Sequence, residues 1–170
     1  MSAAEDVSIV IVTWKGDALL RACLGSLARV YGSAPEIVVV DNANEATTRA
    51  VVAASVNAAY VAAPRNLGFA GGNNAGLARC TRDLILLLNN DTVFRADSLA
   101  PLVDFLAAHP KVGIVQGTLN VPSLGNGLDD CGMVMTPLGI QRHLHRGKPT
   151  ATTALAPRRV TAAKGAFMLF

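Results

Sequence analysis

The residues able to do chemistry fall into four short clusters. Thr13-Trp14 follows the apolar run Val7–Val12, Asp41-Asn42 follows Ile37–Val40, and Asn89-Asn90-Asp91-Thr92 follows Leu84–Leu88. The fourth, Asn66–Gly76, is glycine-rich and leads toward a helix. A carboxylate in a turn at a strand end can hold a divalent cation. Such a cation can bridge the two phosphates joining a nucleoside to a sugar and stabilise charge growing on the departing nucleotide. Asp91 is the carboxylate placed for that role, and the neighbouring amides of Asn89 and Asn90 suit ribose or phosphate oxygens. Asp41 could accept the imide N–H of a pyrimidine base, which only an acceptor can recognise. Trp14, the only tryptophan, could stack on a base or sit in the core or at its rim. Glycines permit close backbone approach to a ligand, and the amino end of a following helix favours an anion. Plainer readings stand beside these: Asn-Asn-Asp-Thr as a turn and cap, and Asp41 as the acceptor of an Asx turn. His143-x-His145 reads as exposed loop, and Lys164-Gly165 as a candidate near the sugar.

The elements that must position these clusters alternate in period. Ile37–Val40 and Leu84–Leu88 are continuous apolar runs and Val7–Val12 is nearly all apolar, as strands covered on both faces should be. Leu20, Cys23, Leu24 and Leu27 repeat at i, i+3, i+4, i+7 and predict an apolar helix stripe. A helix is predicted over 46–54, a short strand near 59–61, loop over 64–72 and a helix starting at 73–79. A further helix begins with Ser98 as its N-cap and Pro101 in the first turn, presenting Leu99, Leu102, Val103 and Leu106. A strand over 112–115 follows. From 120 to 159 the periodicity fades into irregular or hairpin structure, and 165–170 is apolar again. Strands alternating with helices predict an α/β fold with a mostly parallel sheet, whose ligands bind beyond the carboxyl ends of the strands.

With 170 residues, 51% of them apolar and 16% charged, the chain has room for one globular domain. The net charge of +3 comes with both signs interspersed and no run of like charges. There is no basic stripe with aromatic residues, so nucleic acid is not an expected partner. Three cysteines far apart, without C-x-x-C spacing, give neither a disulfide framework nor a zinc knuckle, and Cys23 and Cys80 read as filler on helical apolar faces. The acidic amino terminus does not resemble a signal peptide, and no apolar run approaches the ~18 residues of a membrane span. A cytoplasmic location is expected, with membrane contact only in a longer parent.

The turn Thr13–Asp17 has neither G-x-G-x-x-G nor G-x-x-x-x-G-K-[ST], which argues against most dehydrogenases and kinases. Val7–Lys15, Glu36–Asn42, Asn66–Gly76, Leu87–Thr92 and Lys164–Leu169, in that order, resemble the large family 2 of inverting glycosyltransferases. The Leu-Asn-Asn-Asp-Thr form is similar to its rhamnosyltransferase-like members. The resemblance is best over 7–118 and looser beyond. It implies one GT-A domain over 1–170, with a nucleotide-binding core at 7–118 and a less regular segment at 119–170 leading toward the acceptor side.

It also implies a dTDP- or UDP-sugar donor, Mg2+ or Mn2+, and a glycan or lipid-linked acceptor, in the setting of bacterial polysaccharide or cell-wall synthesis. By position, Thr13 and Trp14 would flank the base, Asp41 would bind uracil or thymine, and Asn90 and Asp91 would take the D-x-D place, with Asp91 on the metal. Asn66, Asn73 and Asn74 complete the expected donor site. Three departures accompany the likeness. Asn89 and Asn90 replace acidic residues, Asn73 stands where many relatives carry an arginine, and the acidic motif holding the family's catalytic base would lie beyond Phe170. The chain is therefore expected to be truncated, binding donor while transferring sugar poorly. Two competitors are a sugar-phosphate nucleotidyltransferase, which should carry a glycine-rich basic signature after the first strand, and a non-catalytic nucleotide-sugar-binding module.

Overall fold

A computed structural model describes residues 2–125, 127–150 and 156–170. Ten strands and four helices follow one another as β1 (Val7–Thr13), α1 (Asp17–Tyr31), β2 (Glu36–Asp41), α2 (Ala46–Ala53), β3 (Ala58–Ala62), α3 (Gly68–Leu77), β4 (Leu84–Asn89) and α4 (Ala100–Ala108), then β5 (Val115–Gln116), β6 (Leu119–Val121), β7 (Gly127–Asp130), β8 (Met133–Met135), β9 (Gln141–His143) and β10 (Phe167–Leu169). The main sheet runs β3-β2-β1-β4-β10-β5. β1 pairs in parallel with β2 and β4, and β2 with β3, while β10 lies antiparallel between β4 and β5. β6 with β7 and β8 with β9 form two small antiparallel pairs, the hairpin structure expected of the less periodic region.

The unbroken apolar runs have a direct cause: both faces of the sheet are covered. Val7, Ile9 and Ile11 of β1 pack with Leu20, Cys23 and Leu27 of α1, Val51 and Val52 of α2, Leu86 and Leu88 of β4, and Phe94, Leu99 and Phe167. The alternate residues turn to the other face, where Val10 meets Ile85 and Leu87, and Val38 and Val40 meet Ala63 beside Leu67 and Ala75 of the α3 region. Period-two alternation is thus present, but both sets are apolar.

Four local expectations change. The helix expected from Asn73 begins at Gly68, so most of the predicted loop 64–72 is helical or helix-capping. Glycine lowers helix propensity, yet here it is required: a Cβ on Gly72 would lie 2.7 Å from Val12 Cγ1, and one on Gly76 2.4 Å from Val10 Cγ1. Close packing of α3 on β1 outweighs propensity. At α4 the capping acceptor is Asp97, whose Oδ1 accepts from the amides of Leu99 and Ala100 at 3.0 and 3.1 Å, while Ser98 Oγ donates to the Ala96 carbonyl. The strand expected over 112–115 is confined to Val115–Gln116, because the Val112 amide bonds back to His109 in the turn closing α4. Cys80 lies in the turn after α3 rather than on a helix, half-buried beside the core.

At the amino ends of the strands, Glu36 ties three segments together. Ser8 Oγ donates to its Oε2, and Thr81 donates from its amide and hydroxyl at 2.8 and 2.9 Å. Burial works to raise the Glu36 carboxyl, but the Ser8 and Thr81 hydrogen bonds and the nearby Arg82 charge outweigh it and hold it below its ordinary value. A depressed folded-state pKa gives stability that is complete above the unfolded value of 4.5 and is lost as pH falls through the folded value. Acid titration followed by circular dichroism is therefore expected to show a shallower loss of stability below that pH in Glu36→Gln than in the parent. Identical slopes would contradict this assignment.

Candidate functional site

The turns after β1, β2 and β4, the start of α3 and the approach to β10 share the carboxyl edge of the sheet. Register places Thr13 beside Asp41, and Val12 beside Asn89. Thr13 is buried, and its Oγ1 accepts a 2.9 Å hydrogen bond from Asn90 Nδ2. Gly16 makes room for this bond, since a Cβ there would lie 2.7 Å from Asn90 Nδ2. Trp14 beside them is 57% exposed, which excludes the core position for its ring. Lys15 Nζ stands 5.5 Å from the centre of that ring and has φ 53°. An open aromatic face bordered by an ammonium suits a flat, electron-rich partner carrying phosphate.

Asp91 follows Asn90 on the exposed side of the turn. Among the described residues its carboxylate makes no hydrogen bond or ion pair. Its charge is felt by Cys23, whose thiol is pushed up to about 12, first by burial and then by Asp91. Among the described residues no group of three or more His, Cys, Asp or Glu is placed to hold a metal ion. One free carboxylate fits a cation of the Mg2+ or Mn2+ kind, which is commonly bound through one or two carboxylates plus substrate phosphates.

Asp41 is fully buried, and its oxygens are engaged. Oδ1 accepts from the Ala43 amide at 2.9 Å, and Oδ2 from the Glu45 amide at 2.8 Å and the Tyr60 hydroxyl at 2.9 Å. The Asx turn considered for this residue is present, and one acceptor position is left on Oδ1. Arg49 lies over the Tyr60 ring at 4.5 Å. Burial, then the Asp41 hydrogen bond, raises the Tyr60 phenol.

The asparagines of the glycine-rich segment separate. Asn66 is exposed, and its Oδ1 accepts from the Gly68 amide at 2.9 Å, shaping the entry to α3. Asn73 is buried and donates to the Phe69 carbonyl one turn earlier at 3.0 Å. Asn74 is exposed on the same helix. Thr13 and Asn90 are thus in direct contact, whereas Asn66 and Asn73 bond within their own segment.

Sequence reasoning placed Asn42 at a strand end but gave it no role of its own. It is buried; its Nδ2 donates to the Gly68 carbonyl at 3.1 Å, and its Oδ1 accepts from the Leu67 amide at 3.2 Å. It fastens the start of α3 to the end of β2. An Asp-Asn pair closing an apolar strand was the available signal. Asp129 was passed over. Its Oδ2 accepts from Lys164 Nζ at 2.8 Å, and the Lys164 amide donates to Gln116 Oε1 at 2.6 Å. The Lys164 hydrogen bond, with further help from its charge and those of Arg146 and His143, holds the Asp129 carboxyl below the ordinary range despite burial.

Comparison with known proteins identifies relatives of the chain. The chain is 32% identical over 102 residues to the succinoglycan biosynthesis protein ExoO of Rhizobium meliloti (strain 1021), a match covering 58% of this chain and 29% of that one. Among solved structures it resembles the mannosyltransferase PcManGT from Pyrobaculum calidifontis in complex with GDP-Man and Mn2+, with TM-score 0.61, 24% identity, and 69% and 36% of the two chains covered. It also resembles S. aureus TarS, with TM-score 0.54, 22% identity, and 62% and 20% covered. The chain spans about a third or less of the length of these relatives. The structural likenesses support the GT-A fold. The family match to Glycosyl transferase family 2 runs from residue 8 to 156. A sheet edge carrying one free carboxylate, an amide locked beside it and an open aromatic ring is accordingly that of a family member: the chain belongs to glycosyl transferase family 2.

Proposed function

We propose that this chain binds a dTDP- or UDP-sugar with Asp91 on a divalent cation, Mg2+ or Mn2+, for inverting transfer of a hexose such as rhamnose to a glycan or lipid-linked acceptor. The observation that carries this reading is the Asn90–Thr13 hydrogen bond at 2.9 Å, which fixes the turn and leaves the Asp91 carboxylate exposed beyond the strand end. A bound cation would supply charge neutralisation at the pyrophosphate. In this reading Trp14 covers the base, Asp41 meets its imide N–H once the turn that buries it at Ala43–Glu45 opens, and Asn66, Asn73 and Asn74 line or support the phosphate side. The neighbour with GDP-Man makes a guanine nucleotide the informative competitor.

Inverting transfer also needs a base for the acceptor hydroxyl. The Asp129 carboxylate is engaged by Lys164 and Arg146, and no residue of this chain is proposed for that role. Calorimetric titration with UDP, dTDP and GDP, each with and without Mn2+, tests the reading. Metal-dependent binding of the pyrimidine nucleotides, with GDP at least ten-fold weaker (about 1.4 kcal/mol), is expected. Binding that ignores the metal would sink it.

A further inference from the structure

The expected interspersion of charge holds only up to residue 130. From 131 to 164 every charged residue is basic: Arg142, Arg146, Lys148, Arg158, Arg159 and Lys164. Arg146 and Lys164 face Asp129, but among the described residues Arg142, Arg158 and Arg159 make no ion pair and are exposed. The same segment carries an apolar projection. β8 and β9 are joined by a turn in which the Gly139 amide bonds to the Thr136 carbonyl, and Thr136 pairs with Ile140. At that turn Leu138 is 85% exposed, Ile140 54% and Met135 48%.

Arg142 lies in β9 two residues past Ile140, opposite Val134. On the other side of β8, Met133 is bridged antiparallel to Ala162, and the Thr161 amide bonds to the Met133 carbonyl. Arg158 and Arg159, both exposed, precede that pairing, and the Val160 side chain next to them lies against Gly132, just before β8. The segment thus carries three exposed apolar side chains at one turn, Arg142 beside them in β9, and two further exposed arginines, none of the three in an ion pair among the described residues.

We propose that this hairpin tip is a docking element for an anionic phospholipid surface. Convex apolar residues at a turn can enter the headgroup boundary while adjacent arginines meet lipid phosphates, the chemistry of an interfacial anchor. The all-basic charge of this segment matches a negative surface. No helix among the described residues is long and apolar enough to cross a membrane, so attachment through this element is peripheral. The proposal does not depend on which donor the sheet edge binds.

Flotation of the whole chain with phosphatidylcholine vesicles, with and without phosphatidylglycerol, at low and high salt, is the test. Binding is expected only to the anionic vesicles and is expected to weaken with salt. Arg158→Gln and Arg159→Gln should each lower partitioning about five-fold. Leu138→Ser with Ile140→Ser should abolish it, with an unchanged melting curve because these side chains are mostly outside the core. Equal binding to neutral vesicles, no binding to either, or full binding by the Leu138→Ser, Ile140→Ser variant would each overturn the proposal. Self-association that disappears in that variant, without vesicle binding, would instead assign the tip to a second copy and overturn it as well.

Discussion

Asp91→Ala is expected to abolish metal-dependent nucleotide binding while leaving the fold intact. The side chain is exposed and has no protein partner among the described residues, and surface substitutions of that kind usually change stability by less than ~0.5 kcal/mol. The loss therefore cannot be credited to unfolding. Changes to residues that only support a metal ligand cost about 10–100-fold in metal affinity, so removal of the ligand itself should cost at least ~100-fold. Asp91→Asn keeps the shape, removes the charge and is expected to behave alike, which separates cation binding from simple hydrogen bonding. Titration of nucleotide into each variant with Mn2+ provides the readout. Retention of parent-like, Mn2+-dependent affinity in Asp91→Ala would remove this residue from the metal site.

The second large effect concerns packing. Gly76→Ala would bring a methyl group to 2.4 Å from Val10 Cγ1 and 3.2 Å from Val40 Cγ2, both on fully buried, β-branched residues of central strands. Such side chains have little rotamer freedom with which to move away. Overpacking costs about 1–3 kcal/mol or more, against a helix-propensity gain of ~1 kcal/mol for Gly to Ala. With a contact this short, a net loss of about 2 kcal/mol is expected, or a Tm lower by about 4–8 °C for a chain of this size. Gly25→Ala in α1 is the matched control, because nothing stands within 4 Å of its added carbon. It should melt at or slightly above the parent temperature. If the two variants melt alike, close packing is not why α3 carries glycine.

These two residues also show what the sequence discloses and what it hides. Asp91 was legible because a polar turn after Leu84–Leu88 needs no tertiary information to be noticed. The central strands were legible for a similar reason: four or five consecutive apolar residues, β-branched or leucine and bounded by polar turns, point to a doubly covered strand. Gly72 and Gly76 misled in the other direction. Glycine signals a break when only propensity is weighed, and its value in α3 lies in Val10 and Val12, some sixty residues away in the chain.

Asn42 was hidden for the same reason, since its two hydrogen bonds go to Leu67 and Gly68. At α4 both Asp97 and Ser98 were suitable caps, and only the backbone path selects Asp97. Residues 165–170 were legible as an apolar run, but nothing local could say that Phe167–Leu169 inserts antiparallel between β4 and β5.

That insertion has a consequence for how the molecule is made. β4 emerges from the ribosome with β1 already available on one side, but its other neighbour arrives about eighty residues later. At roughly 5–20 residues per second this leaves the outer backbone of β4 unpaired for about 4–16 s. An unpaired apolar strand edge is a template for wrong pairing with other nascent chains. The period before β10 arrives is thus when this protein is most prone to aggregate, and a chaperone that shields Leu84–Leu88 during that interval would raise the yield of folded chain more than one acting after release.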